Sequence, residues 1–244
     1  MFYFGKVLNL FNFHKEPWHT PQGALIREVV FGMNDGLISI VGFIAGASGA
    51  IADNRIILLA ALAAMVAGTL SMAFGGYLSS KSQVEFFKKE IAREKREIDE
   101  YPENEKQELF EIFGSKGFTP EEVNMIVNRV TKDKKQWLDV MMKEELGLVQ
   151  EKFDNPWKIA GVMGISFFSG GIVPIIPYFF IKTGNPLGFS IALSLLALFG
   201  LGAGKARLAN RKMWVGGVEI LVIGSVCAII GYFLGSLFSG IPGF

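Results

Sequence analysis

Five stretches of this chain are each apolar enough to cross a bilayer, and nothing else constrains its fold as strongly. They are Val29–Ile51, Ile56–Ser79, Ile159–Ile181, Leu187–Ala203 and Met213–Phe238. An α-helix rises about 1.5 Å per residue, so about 20 apolar residues span the hydrocarbon core. Alternating strand patterns are absent, and backbone groups inside a bilayer must be satisfied internally, so each stretch is expected to be a helix. The fourth is the shortest. The predicted fold class is an all-α membrane protein with five transmembrane helices and a cytoplasmic helical insert between the second and third.

The charges are segregated to match. Of 23 acidic residues, only Glu16, Glu28, Asp35, Asp53 and Glu219 lie outside the window from Lys81 to Lys158, which leaves 18 inside it. The same window holds 15 Lys and Arg. That balance does not fit nucleic-acid binding. The lone Cys227 excludes an internal disulfide and any multi-Cys metal site, and two histidines, His14 and His19, leave little for a histidine-based one. Orientation follows from Lys and Arg in the loops. The insert is rich in them, as is Lys205, Arg207, Arg211 and Lys212, whereas the opposite side has Arg55 and Lys182. The N-terminus and insert are therefore expected in the cytoplasm and the C-terminus outside.

The chain divides into residues 1–27, 28–80, 81–157 and 158–244. The first is an N-terminal segment, Phe-rich with Lys6, Lys15 and Trp18. It suits either a helix lying on the membrane surface or a loose tail. The second holds spans one and two, the third the insert, and the fourth spans three to five. In the insert, Val84, Phe87, Ile91 and Ile98 keep helical spacing. That helix is expected to continue from the second span and stop at Pro102. A short helix follows over about Glu103–Phe113. Thr119-Pro120-Glu121-Glu122 begins another, with Thr as N-cap, Pro in the first turn and Glu three residues on. A last helix is expected from about Lys134 to Gln150.

Acids on these helices occupy positions that should be apolar. Glu94 falls within the stripe of Phe87, Ile91 and Ile98. Glu145 falls among Leu138, Met141, Met142 and Val149, and Glu105 and Glu108 share a face with Ile112. Taking a carboxylate out of water is costly unless a partner or metal compensates. Glu94 and Glu97 are three apart, as are Glu105 and Glu108; Met142 and Met141 stand three and four before Glu145. Glu–Lys pairs on a solvated helix would account for the acids alone, with Lys95 and Arg96 at hand, and core filling for the methionines alone. Together they favour a metal site. Carboxylate oxygen suits hard divalent ions and thioether sulfur is softer, a mixture pointing to Fe²⁺, with Mn²⁺, Co²⁺ and Zn²⁺ as alternatives.

Asp35 interrupts the first span, and an acid at membrane depth is a functional candidate. Glu28 lies two turns before it on nearly the same face, near the cytoplasmic mouth, and is a further candidate for the translocation pathway. Met65 and Met72 share a face of the second span, and Met72 could offer sulfur opposite Asp35. Glu219, in the fifth span, is expected to be buried, as a proton carrier or a partner of Arg211 or Lys212. Small residues four apart recur at Gly32 and Gly36, Gly42 and Gly46, Gly200 and Gly204, and Gly231 and Gly235, permitting close helix approach. Five helices make a thin wall for a pathway, which predicts a homodimer with the path near its interface. Pro174 and Pro177 are expected to disrupt the third span and free carbonyls there, as a hinge or only a kink.

Four motifs follow one another along the chain: Arg27-Glu28 with Asp35-Gly36; Ser71-Met72 with Gly76-Tyr77-Leu78-Ser79; Trp137 with Met141-Met142-Lys143-Glu144-Glu145-Leu146-Gly147-Leu148; and Gly171-Ile172-Val173-Pro174-Ile175-Ile176-Pro177-Tyr178. In this order they resemble the vacuolar iron transporter family. The resemblance implies a homodimer of five-span subunits exporting Fe²⁺ from the cytosol in exchange for protons. It places metal ligands in the insert at Glu94, Glu97, Glu105, Glu108, Met141, Met142 and Glu145, and pathway residues at Asp35 and Met72. Two departures stand out: Ala64 and Gly76 occupy positions where family members often carry an acid.

A proton-coupled secondary transporter is thus the leading reading, with the metal as cargo and no permanent cofactor. A membrane-anchored carboxylate di-iron oxidase is disfavoured because such sites use Glu-x-x-His pairs and neither His lies in the insert. A storage or sensing module is the third reading. The expected partners are divalent metal ions, protons, lipid and a second copy of the chain. The composition fits the plasma membrane of a prokaryote.

Overall fold

The computed structural model describes residues 23–147, 155–181 and 184–239. The N-terminal segment apart from its last few residues, Val149, Gln150 and Lys182 therefore lie outside the described residues. Among these residues eight helices follow in order: α1 (Gly23–Ala50), α2 (Asn54–Glu100), α3 (Pro102–Ser115), α4 (Pro120–Val130), α5 (Lys134–Glu144), α6 (Pro156–Phe180), α7 (Pro186–Leu208) and α8 (Met213–Ser239). No strand occurs among the described residues. Five of the helices, α1, α2, α6, α7 and α8, are long and apolar enough to cross a membrane.

The caps explain the breaks. Asp53 accepts from the Arg55 amide at 2.8 Å and starts α2. That helix then runs unbroken for 47 residues, from the membrane span into the insert, until Tyr101-Pro102. Thr119 and Glu122 form a reciprocal capping box at α4. Asn155 and Asn185 cap α6 and α7 from the side chain, each ahead of a Pro in the first turn. The last insert helix is shorter than expected. It stops at Glu144, and the chain turns through Glu145 to Gly147, whose φ of +63° is the left-handed conformation glycine tolerates.

α6 is the centre of the bundle, packed against α1, α2 and α7, while α8 leans on α1 and α7. Close approach of α1 to α6 depends on Gly36, where a Cβ would collide with the Phe167 carbonyl. The α1–α8 crossing uses Gly42 and Gly46 against Gly231 and Gly235; a Cβ on Gly231 would sit 2.5 Å from the Gly42 carbonyl oxygen. Gly200 and Gly204 depart from this pattern, since a Cβ at either would meet nothing within 4 Å. α6 passes through Pro174 and Pro177 without ending. The Pro174 carbonyl accepts a 2.6 Å hydrogen bond from the buried Ser190 hydroxyl on α7, so a neighbouring helix supplies a donor there.

Two apolar clusters bracket the functional regions. Ile40, Ile44, Ile57, Ala61, Met65, Ile175 and Tyr178 plug the bundle at the end away from the insert. Beside the plug the Ser48 and Tyr178 hydroxyls meet at 2.9 Å. In the insert, α3, α4 and α5 close over the extension of α2 around Ile98, Leu109, Val123, Val127, Val130, Trp137 and Met141.

Candidate metal centre and membrane cavity

Three helices bring three carboxylates to one point. Glu94 projects from α2, Glu105 from α3, and Glu145 from the turn after α5; an oxygen from each lies within 4.8 Å of the others. Glu94 and Glu105 are buried at 4% exposure each. One oxygen of each, Glu94 Oε1 and Glu105 Oε2, is enclosed without a hydrogen-bond partner. Such orphaned acceptors in a buried acidic cluster are the groups a cation would satisfy.

The electrostatics are those of a site short of positive charge. Burial pushes the Glu94 carboxyl up to about 8, helped by its hydrogen bond to Glu105 and by the charge of Glu145. Burial likewise raises Glu105, with the Glu108 and Glu97 charges adding to it; the hydrogen bond from Glu94 opposes the rise. Glu145 is raised by partial desolvation of its carboxyl at the rim of the cluster and by the charges of Glu108, Glu105 and Glu97. Like charges this close cannot all ionise freely, and a divalent ion would remove the conflict.

The remaining predicted ligands sit around this triad. Glu97 is half-buried and ion-paired to Arg93 at 3.0 Å. Glu108 is half-buried on α3. Met142 is buried, and Met141 is fully enclosed in the insert core beside Leu109 and Trp137. Glu145 differs from its expected place in a buried stripe. It lies past the end of α5 and is exposed, so it forms the open rim of the cluster. Periodicity does not single out Trp137, which is buried with an indole N–H that has no partner among the described residues.

The membrane portion holds a second site. A cavity of about 570 Å³ is walled by α1, α2 and α6, and both Asp35 and Met72 line it. Ser39 donates to Asp35 Oδ1 at 3.1 Å. Ser39 and Ser71 also line the space, and neither was singled out by periodicity. Ala64 and Gly76, the two positions without the expected acid, face the same cavity, so Asp35 is the single carboxylate among its described lining. Met65 belongs instead to the apolar plug. Glu28 is buried at 8% exposure, but it is engaged by the Arg27 guanidinium at 2.6 and 3.0 Å and does not line the cavity. Glu219 is exposed, contrary to the buried acid expected, with Arg211 3.8 Å away.

A multi-pass bundle with a carboxylate cluster on its insert and a single acid in a membrane cavity is the architecture of an integral-membrane metal-ion transporter. The comparisons agree. A family model described as the VIT family matches residues 26–236. Vacuolar iron transporter 2 of Oryza sativa subsp. japonica is 34% identical over 215 residues, covering 88% of this chain and 87% of the relative. Vacuolar iron transporter 1 of Eucalyptus grandis is 35% identical, covering 90% and 88%. The vacuolar iron transporter of Toxoplasma gondii is 30% identical, covering 94% and 80%. The chain belongs to the VIT family. These relatives are eukaryotic and named for the vacuole, so they lend no support to the expected prokaryotic plasma membrane.

Proposed function

We propose that the protein is a proton-coupled secondary transporter that exports Fe²⁺, or a similar divalent ion, from the cytosol. The observation that carries this reading is the meeting of Glu94, Glu105 and Glu145 within 4.8 Å, two of them buried with orphaned oxygens. In this reading the insert lies in the cytoplasm and gathers the ion, with Glu97, Glu108, Met141 and Met142 as supporting ligands. The ion then passes to Asp35 and Met72. Protonation of a carboxylate weakens its hold on metal, so each proton entering releases cargo. The apolar plug of Ile44, Met65 and Ile175 closes the far end of the route in this conformation.

The functional unit in this reading is a homodimer. The cavity holding Asp35 has walls from α1, α2 and α6 alone, and a half-buried acid facing lipid is costly. The outer face of α2 exposes Leu59, Val66, Leu70, Phe74 and Leu78. A second copy covering that face would complete the path. The deciding measurement is Fe²⁺ uptake into proteoliposomes carrying an acid-inside gradient. Uptake should stop in Asp35→Ala and fall when the gradient is collapsed. Unchanged uptake in Asp35→Ala would reject the role given to Asp35, and flux indifferent to the gradient would reject proton coupling.

A further inference from the structure

A second, larger space opens on the other side of α1. It is a groove of about 1000 Å³ between the insert-side ends of α1 and α7, at the upper end of ordinary ligand pockets. Its walls are apolar: Leu25, Ile26 and Val29 come from α1, Leu201 and Leu208 from α7. Gly200 and Gly204 line it too, and the open space beside both is why they contact no helix. Small residues in a span normally admit a neighbouring helix; here they hollow out a trough.

The insert-side end of this trough is basic. Lys205 and Arg207 stand in the last turn of α7 and line it, both exposed. Among the described residues, no carboxylate pairs with either. The turn that follows keeps the positive charges together. Asn210 takes a φ of +52°, and the Arg211 amide donates to the Ala206 carbonyl at 2.8 Å, reversing the chain at once.

An adjoining cavity of about 580 Å³ shares Ile26, Val30, Lys205 and Leu208 and adds Arg27, Asn34 and Glu219. The one acid there has Arg211 3.8 Å away. Asn34 Oδ1 is enclosed without a hydrogen-bond partner, an acceptor left for a hydroxyl donor.

We propose that this groove binds one anionic phospholipid, with an acyl chain along Gly200 and Gly204 and the phosphate between Lys205 and Arg207. The chemistry is two-part. An apolar trough within the spans suits hydrocarbon, and cations with no carboxylate partner among the described residues, at its membrane-edge end, suit a phosphodiester. A soluble anion would use the cations but not the trough. A zwitterionic lipid would use the trough while bringing its own cation to the phosphate.

Native mass spectrometry of the full-length protein in detergent tests this, with equimolar phosphatidylglycerol and phosphatidylcholine added. The wild type should retain phosphatidylglycerol in roughly tenfold excess. Lys205→Ala/Arg207→Ala removes two exposed cations that pair with no carboxylate among the described residues, and should bring the two lipids level. Gly204→Leu fills the trough without changing charge, and should lose both lipids. Gly161→Leu is the control, since Gly161 on α6 also faces open space but lies outside the groove. It should match the wild type. Equal retention of the two lipids by the wild type would overturn the assignment. So would undiminished phosphatidylglycerol in the double variant, or losses in Gly161→Leu as large as in Gly204→Leu. If Gly204→Leu fails to fold, as judged by a lost monodisperse peak, the double variant decides alone.

Discussion

Metal capture at the insert should be strongly pH-dependent, and Glu94 sets the scale. Its carboxyl is held at about 8, so it is about 1% ionised at pH 6 and about half ionised at pH 8. An ion that needs the carboxylate must first displace that proton. Its apparent dissociation constant should therefore fall roughly fiftyfold between pH 6 and pH 8, from this group alone. Titration calorimetry of the full-length protein with Mn²⁺, a redox-stable surrogate, would read both quantities. Buffers of different ionisation enthalpy should report release of about one proton per ion near pH 7 from Glu94. Glu94→Gln imitates the protonated acid in shape but cannot ionise, so its affinity should be weaker at pH 8 and its pH slope shallower by about one proton. Parallel slopes in wild type and Glu94→Gln would refute the reasoning. Stability gives an independent check. The folded value lies above the ordinary 4.5, so between about pH 4.5 and pH 8 the folded chain binds more protons than the unfolded one. The metal-free insert should then lose stability as pH rises through that window. Its melting temperature should drop from pH 6 to pH 8, and Mn²⁺ should restore it.

Two substitutions probe the membrane portion. Gly75 lines the Asp35 cavity and a Cβ there meets nothing within 4 Å. Gly75→Leu should fold normally yet slow metal flux in proteoliposomes by at least about tenfold through occupation of the cavity; wild-type flux would mean the ion travels elsewhere. Gly36 is the opposite case, because any Cβ strikes the Phe167 backbone. Gly36→Val should force α1 and α6 apart at a cost of about 1–3 kcal/mol, seen as a lower melting temperature in detergent. An unchanged melting temperature would show that this contact yields.

Much of the architecture was legible before any coordinates. The five spans and the Thr119 capping box follow from hydropathy and local hydrogen bonding, which act within a few residues. The same locality limited the reading of the insert. The stripe through Ile91 and Ile98 placed Glu94 among apolar neighbours, and it is buried. The equivalent stripe on α5 predicts helix to about Gln150, but the helix ends at Glu144 and Gly147 takes a left-handed φ of +63°. Met65 and Met72 share a face by period, yet one packs in the plug and the other lines the cavity, since the helix passes from one environment to the next.

The sequence by itself determined that five segments are apolar enough to cross a membrane and that an acid, Asp35, interrupts the first of them. Both are properties of single segments, set by the cost of exposing polar groups to hydrocarbon. Only the tertiary structure decided which acids meet. Glu94, Glu105 and Glu145 converge from three helices, while Glu28 and Glu219 have arginines beside them. It also decided that one glycine pair opens a trough where others close a helix contact. Periodicity orders side chains around one helix axis; the distance between groups on different axes is set by packing, which no single segment encodes.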